Sequence, residues 1–239
     1  MIYGAILAGG VGSRMQNENL PKQFMKLGTK PIIMHTLEKF LLCPQFDAIY
    51  IGVHPDWLSY MDGMLETHIG KQASQKVFLA PGGPSRNDTL FNAIDAIESK
   101  YGSDAESIIV THDAVRPFVS LRIIEENIKA ALLTGACDTV VAATDTIIES
   151  RDGISISDIP LRSYMYQAQT PQSFNIQKLK GLYSKTTKEQ KEQLTDACKI
   201  FTLFGEQVLL VAGDALNFKI TTLSDYNIAK SLLSGMQLD

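Results

Sequence analysis

Cysteine is scarce. The 239 residues hold three, Cys43, Cys137 and Cys198, and none sits in a CxxC or Cys/His spacing. That pattern excludes a disulfide framework and a structural zinc knot, and leaves buried free thiols in a reducing compartment as the expected state. Positive charge is not in excess either: 22 Lys and Arg stand against 26 Asp and Glu, a net −4. No global field therefore draws the chain to nucleic acid or to anionic lipid, and any anion must be held by a local cluster of cations. No apolar run approaches the roughly 20 residues of a membrane span. The opening MIYGAILAGG lacks the basic flank of a signal peptide. A cytoplasmic protein with neither membrane nor nucleic-acid partner is expected. Internal repeats, low-complexity tracts and Pro/Gly/Ser linkers are missing too, so residues 1–239 are expected to form one domain.

What is present is alternation. IYGAILA (2–8), FDAIYIGV (46–53), KVFLA (76–80), SIIVTHDAVRPF (107–118), DTVVAATDTIIES (138–150), QVLLVAG (207–213) and NFKITT (217–222) read as strands. Between them, helical spacing runs over 31–42, 55–67, 85–102, 121–135, 176–185 and 194–203, with a closing helix from about 223. Ser/Asn/Asp caps open the 85–102 segment and Gly102 closes it. Strands alternating with helices predict an α/β fold, a Rossmann-like and mostly parallel sheet with helices on both faces. Ligands of such sheets sit beyond the C-terminal strand ends, which gathers the loops after residues 8, 80 and 112 on one rim. Residues 145–170 break the rhythm. They predict a β-hairpin arm turning at Asp152-Gly153 and followed by extended chain, in need of cover from a dimer partner or from its own sheet; periodicity does not choose between these.

AGGVGSRM (8–15) can act as an anion nest, because glycines let successive N–H groups converge without a Cβ in the way. It is not a Walker A loop. Its G-G-x-G spacing is not a dinucleotide fingerprint, and the acid expected after the second strand is missing from IGVHPDW. Taken alone it is as readily a structural turn as a phosphate cradle. Arg14 and Lys22 tilt it toward phosphate, since a polyphosphate gains from charge-assisted donors. THDAVRPF ends a buried strand on Asp113, placed either to hold Mg²⁺ against phosphates or to cap a turn before Pro117. Arg116 can pair with Asp113 or reach an anionic substrate. His112 reads as a packed, hydrogen-bonded histidine. Arg162 and Thr170 stand in a polar stretch, Asp196 reads as a helix N-terminal acid, and Lys219 as an edge-strand lysine. No Ser/His/Asp nucleophile set and no activated cysteine is visible.

Taken in order over almost the whole chain, the series ILAGGVGSRM, PKQF, PGGPSRNDTL, THDAVRPF, AATDT, LRSYMYQAQTPQSF, TDA and NFKITT resembles the sugar-phosphate cytidylyltransferases. That family includes the 2-C-methyl-D-erythritol 4-phosphate enzymes of isoprenoid synthesis and a group making CDP-ribitol for teichoic acids. NLPKQF, THDAVRPF, LTDACKIF and NFKITT are closer to the ribitol group. The resemblance implies a homodimer in which a sugar phosphate attacks the α-phosphorus of CTP and pyrophosphate leaves with Mg²⁺. It implies that Ala8, Gly9, Gly10, Gly12 and Ser13 cradle the triphosphate, with Arg14, Lys22 and Lys219 stabilising the reacting phosphates and Asp113 binding the metal. Gly83 and Thr89 would border the cytosine with Arg86 close by. Arg116, Thr146, Arg162 and Thr170 would hold the acceptor phosphate, Thr146 and Arg162 arriving from the partner's arm. Pro84 departs from the acid expected there, which shifts base recognition toward backbone groups. The implied activity competes with two others: a catalytically silent nucleotide-binding regulator and, more weakly, a Rossmann dehydrogenase.

Overall fold

A computed structural model of the chain describes residues 1–10, 20–70, 74–102, 104–194 and 196–236. Its first strand, β1 (Ile2–Ala8), is apolar along its whole length because it lies in the middle of a sheet covered on both faces. A small β2–β3 pair (Lys26–Leu27, Lys30–Pro31) leads into α1 (Ile32–Leu41). β4 (Ala48–Val53), α2 (Leu58–His68), β5 (Val77–Pro81), α3 (Arg86–Tyr101), β6 (Ile108–Asp113), α4 (Leu121–Thr134) and β7 (Ala136–Ala142) continue the alternation. The chain then makes an excursion over 143–165 and returns as β8 (Tyr166–Asn175). It ends through α5 (Ile176–Lys185), α6 (Lys188–Glu192), α7 (Cys198–Leu203), β9 (Leu209–Ala212) and α8 (Leu223–Met236).

The large sheet runs β5-β4-β1-β6-β8-β7-β9. β8 is antiparallel to both neighbours, and the other four pairings are parallel. Alternate strand residues sort into two cores. Ile6, Ile51 and Val110 meet α1, α2 and α4 on one face, while Tyr50, Ile109 and Phe174 meet α3, α5 and α7 on the other. A third cluster, around Leu27, Ile32, Val115, Ile220 and Ala229, seats α8 on the β2–β3 pair beside the rim. No helix among the described residues is long and apolar enough to cross a membrane.

Four elements differ from the sequence expectation. NFKITT is not a strand: the backbone from 213 to 221 is irregular, and Ile220 N–H donates to Val115 O at 2.9 Å. The strand predicted over 138–150 stops at Ala142, where the arm begins. The polar run YQAQTPQSFN is an interior strand of the sheet, buried from Gln169 to Phe174, and the short helix α6 was not anticipated.

The arm does turn at Asp152-Gly153. Gly153 has φ +72°, the left-handed region that favours glycine, and the Asp152 carboxylate accepts the N–H groups of Ile154 and Ser155 at 2.8 Å. One antiparallel bridge, Glu149–Asp158, holds its two sides together among the described residues.

Candidate active site

Beyond the C-terminal ends of β1, β5 and β6 lies a cleft of about 360 Å³. Its floor is the turn Ala8-Gly9-Gly10, tied down by a buried Gln23 whose Nε2 donates to Ala8 O and to Gly10 O, both at 2.9 Å. Gln23 belongs to the single helical turn Lys22–Phe24. Phe24 anchors that turn against the rings of Trp57 and Tyr60, at 5.5 and 5.2 Å between centroids. The anchor fixes Lys22 on the cleft wall.

The opposite wall is the loop after β5 and the start of α3. Ser85 caps the helix in a reciprocal box: its side chain accepts Asp88 N–H at 3.1 Å, and Asp88 accepts Ser85 N–H at 3.0 Å. Thr89 Oγ1 accepts Gly83 N–H at 3.0 Å and donates to Ser85 O at 3.0 Å. A Cβ on Gly9 would lie 2.8 Å from that same Thr89 oxygen, and one on Gly83 would overlap Asp88. Only glycine lets these two loops approach so closely.

Asp113 closes the cleft from below and is the one acid among the described lining residues. Three cations converge on it: Lys219 Nζ at 3.0 Å from Oδ2, Arg116 Nε at 3.4 Å from Oδ2, and Arg86 Nε at 3.4 Å from Oδ1. Burial alone would raise its pKa, but Arg86, Lys219 and Arg116 outweigh burial and hold the carboxyl far below the usual range. Its backbone N–H donates to Thr170 Oγ1 at 3.1 Å, and Thr170 Oγ1 also lies 2.9 Å from His112 Nδ1. The network assigns the tautomer: the threonine hydroxyl donates to Nδ1, and Nε2–H donates to Arg116 O at 3.1 Å. Desolvation pushes the fully buried His112 down to about 4, so it is neutral and structural.

The structure thus brings Ala8, Gly9, Gly10, Lys22, Gly83, Arg86, Thr89, Asp113 and Lys219 around one cleft. Arg116 flanks it, with Nη1 donating to Asn217 O at 2.8 Å. Thr170 lies beneath Asp113, its hydroxyl turned inward. Thr146 and Arg162 lie exposed on the arm and do not line the cleft; Arg162 Nη1 donates to Thr144 O at 2.9 Å. Gly12, Ser13 and Arg14 lie outside the described residues. Asp196 does more than favour a helix start. Its Oδ1 accepts Cys198 N–H at 2.7 Å and its Oδ2 accepts from Gln172 Nε2 at 2.6 Å. Sequence reasoning missed Gln23, whose polarity next to PK was the available signal, and it missed Asp138, Gln172 and Asn217.

The arrangement can seat a polyphosphate between backbone N–H donors and lysines, with a carboxylate able to share a divalent cation with that phosphate. Comparison with known proteins gives the family. Residues 2–235 match the family described as IspD, 2-C-methyl-D-erythritol 4-phosphate cytidylyltransferase. The chain is 47% identical over 233 residues to a ribitol-5-phosphate cytidylyltransferase of Streptococcus pneumoniae, covering 98% of this chain and 99% of that one. The 4-diphosphocytidyl-2C-methyl-D-erythritol synthase structure from Anaerococcus prevotii superposes with a TM-score of 0.79 at 27% identity, over 98% of this chain and 96% of that one. The Francisella tularensis 2-C-methyl-D-erythritol 4-phosphate cytidylyltransferase gives 0.78 at 26% identity, over 96% and 98%.

Proposed function

Since the chain belongs to the 2-C-methyl-D-erythritol 4-phosphate cytidylyltransferase family, we propose that it transfers CMP from CTP to D-ribitol 5-phosphate, releasing CDP-ribitol and pyrophosphate. The 47% identity to a ribitol-5-phosphate cytidylyltransferase over nearly the full length of both chains carries the choice of acceptor. The product would serve as a teichoic-acid precursor, made in the cytoplasm, where three free buried thiols persist.

The acceptor is already a phosphate anion, so the step needs no general base. One acceptor oxygen bonds to the α-phosphorus of CTP while the bond from that phosphorus to the bridging oxygen breaks, and the electron pair leaves with pyrophosphate. Catalysis then consists of alignment and charge stabilisation. In this reading the Ala8–Gly10 backbone and Lys22 hold the triphosphate, with Gly12, Ser13 and Arg14 of the same loop. Lys219 meets the α-phosphate from the other wall. Gly83 and Thr89 frame the base, where Pro84 contributes shape rather than a hydrogen-bonding side chain. Asp113 fits a hard divalent cation, being the lone acid among the described lining residues. Mg²⁺ held there would neutralise charge on the triphosphate and the leaving pyrophosphate.

The acceptor phosphate falls to Arg116 with Thr146 and Arg162, Thr170 supporting Asp113 from below. Thr146 and Arg162 reach a cleft if the enzyme is a homodimer whose arms cross. Ile154, Ile156, Leu161 and Tyr164 leave the arm's apolar side exposed, Ile154 to 93%, and a second copy of the chain would cover it.

The deciding assay offers D-ribitol 5-phosphate and 2-C-methyl-D-erythritol 4-phosphate separately with CTP and Mg²⁺ and measures pyrophosphate. Turnover of ribitol phosphate is expected. Turnover of methylerythritol phosphate alone would make this an isoprenoid enzyme. CTP binding with no pyrophosphate from either would favour a silent regulator, against which the assembled Lys22, Asp113 and Lys219 argue.

A further inference from the structure

Asp113 carries more positive charge than one carboxylate can balance, and its three partners are not held equally. Lys219 makes the short contact, and Arg116 has a second anchor in Asn217 O at 2.8 Å. Arg86 touches Asp113 only through Nε, at 3.4 Å. Its Nη1 and Nη2 are shielded from solvent, with no hydrogen-bond partner among the described residues. Shielded guanidinium donors without acceptors are expensive, so this side chain is only half satisfied.

Two residues back from Asp113 along β6, Thr111 pairs with Gln172 of β8, and Gln172 pairs with Asp138 of β7. Opposed residues of neighbouring strands share a face, here the face that α3 covers. Gln172 Nε2 donates to Asp138 Oδ1 at 3.1 Å and to Asp196 Oδ2 at 2.6 Å. Two carboxylates therefore share one amide, and neither forms an ion pair among the described residues. Burial first, and then Asp196, push the Asp138 carboxyl up to about 6, while Gln172, Arg86 and Cys198 pull it down. The groups that face it are Asp196 and Cys198 from the entry to α7, Gln172 from β8, Arg86 from α3, and Arg116 from the loop after β6, whose charge Asp138 also supports. The Cys198 thiol is itself pushed well up by burial and stays neutral. An under-partnered guanidinium thus stands within electrostatic reach of an acid pair that lacks a cation.

We propose that Asp138, backed by Asp196, receives the guanidinium of Arg86 when nucleotide and metal draw Asp113 away from it. Asp138 is then a positioning residue for CTP binding, and this rests on the reading of the cleft as a CTP site. Without that receiving pair, Arg86 would either stay on Asp113 and compete with the metal or lie buried with no partner.

Asp138→Asn tests this, because it keeps the size of the side chain and removes only its charge. CTP affinity would be measured by calorimetry with Mg²⁺ and no acceptor, so that turnover plays no part. About a tenfold loss is expected. The gap between the two proteins should close as pH falls below about 6, where the wild-type Asp138 gains its proton. In a double-mutant cycle with Arg86→Gln, the second substitution should add little to the first. A melting temperature at or above wild type for Asp138→Asn checks that the fold is intact, and Asp196→Asn gives a second, independent removal of charge from the pair. Unchanged CTP affinity in Asp138→Asn, or full additivity with Arg86→Gln, overturns the proposal while leaving the CTP site standing. Failure of the wild-type protein to bind CTP would overturn both.

Discussion

Asp113 and Asp138 are acids on the same side of one sheet whose environments push them in opposite directions, and their pH signatures should differ in sign. Asp113 is held far below the unfolded carboxylate value of about 4 by Arg86, Lys219 and Arg116 against the pull of burial. Its contribution to stability is complete above that value and fades as the pH falls through it. Asp113→Asn should lower stability at pH 7 by about 1–3 kcal/mol, through stranded cations, and abolish turnover. Asp138, raised to about 6 mainly by burial, binds a proton in the folded state that the unfolded chain has released. Stability is therefore lost as pH rises from about 4 to 6, and Asp138→Asn should raise the melting temperature at pH 7 while flattening that slope. Lys22→Ala and Lys219→Ala should each cut turnover about 100-fold or more with little change in melting temperature, since both stand on the rim; stopped assays alongside thermal melts would check this. Lys22 and Asp113 were legible in the sequence because a charge at the end of a buried strand or loop asks for a partner of its own, whereas Lys219 read as an edge-strand lysine until the family resemblance gave it a role. Gln23, Asp138 and Asn217 were not. Their partners lie 13 or more residues away in the chain, so neither spacing nor type reveals them.

Among elements, the alternating strands and helices were readable because each carries its own periodicity, its caps and its breakers. α3 runs from Ser85 to Gly102, with Gly102 at φ +78°, as its caps dictate. Ser85→Ala should cost about 1 kcal/mol in chemical denaturation and weaken CTP affinity, because the same cap sets Gly83 and Arg86 in place. β8 was legible only as extended chain, not as an interior strand, for a physical reason. Its sequence holds three glutamines and a proline where a central strand calls for apolar, β-branched residues. The two buried glutamines are paid for by specific partners, Gln172 by Asp138 and Asp196, Gln169 by Asp214 and Asn217, while Gln167 is exposed. Lys219 was placed in a strand by the β-branched residues that follow it. Its segment is instead pinned by Asp225 at the start of α8, whose Oδ2 accepts Thr221 N–H, Thr221 Oγ1–H and Thr222 N–H, all at 2.8 Å. Asp225→Ala should lower kcat several-fold with little effect on CTP affinity, and Asp225→Asn should restore part of it.

At the scale of the whole molecule, the two cores account for the sheet and leave the arm outside both. If Arg162 acts on a neighbouring cleft, mixing Arg162→Ala with Lys22→Ala subunits should recover up to about a quarter of wild-type activity, since one cleft in a mixed dimer then has both residues intact. Subunit exchange would be confirmed by mass. The arm leaves and re-enters the sheet at one place: Ala143 N–H donates to Met165 O at 3.0 Å, next to the paired ends of β7 and β8. Geometrically, then, the excursion is a hairpin loop grown long, and the fold closes without it. Replacing residues 145–163 by a short Asn-Gly turn should yield a compact, soluble monomer that still captures CTP but no longer joins it to the polyol. Nucleotide capture and acceptor use would then be separable parts of one chain, each open to engineering without disturbing the other.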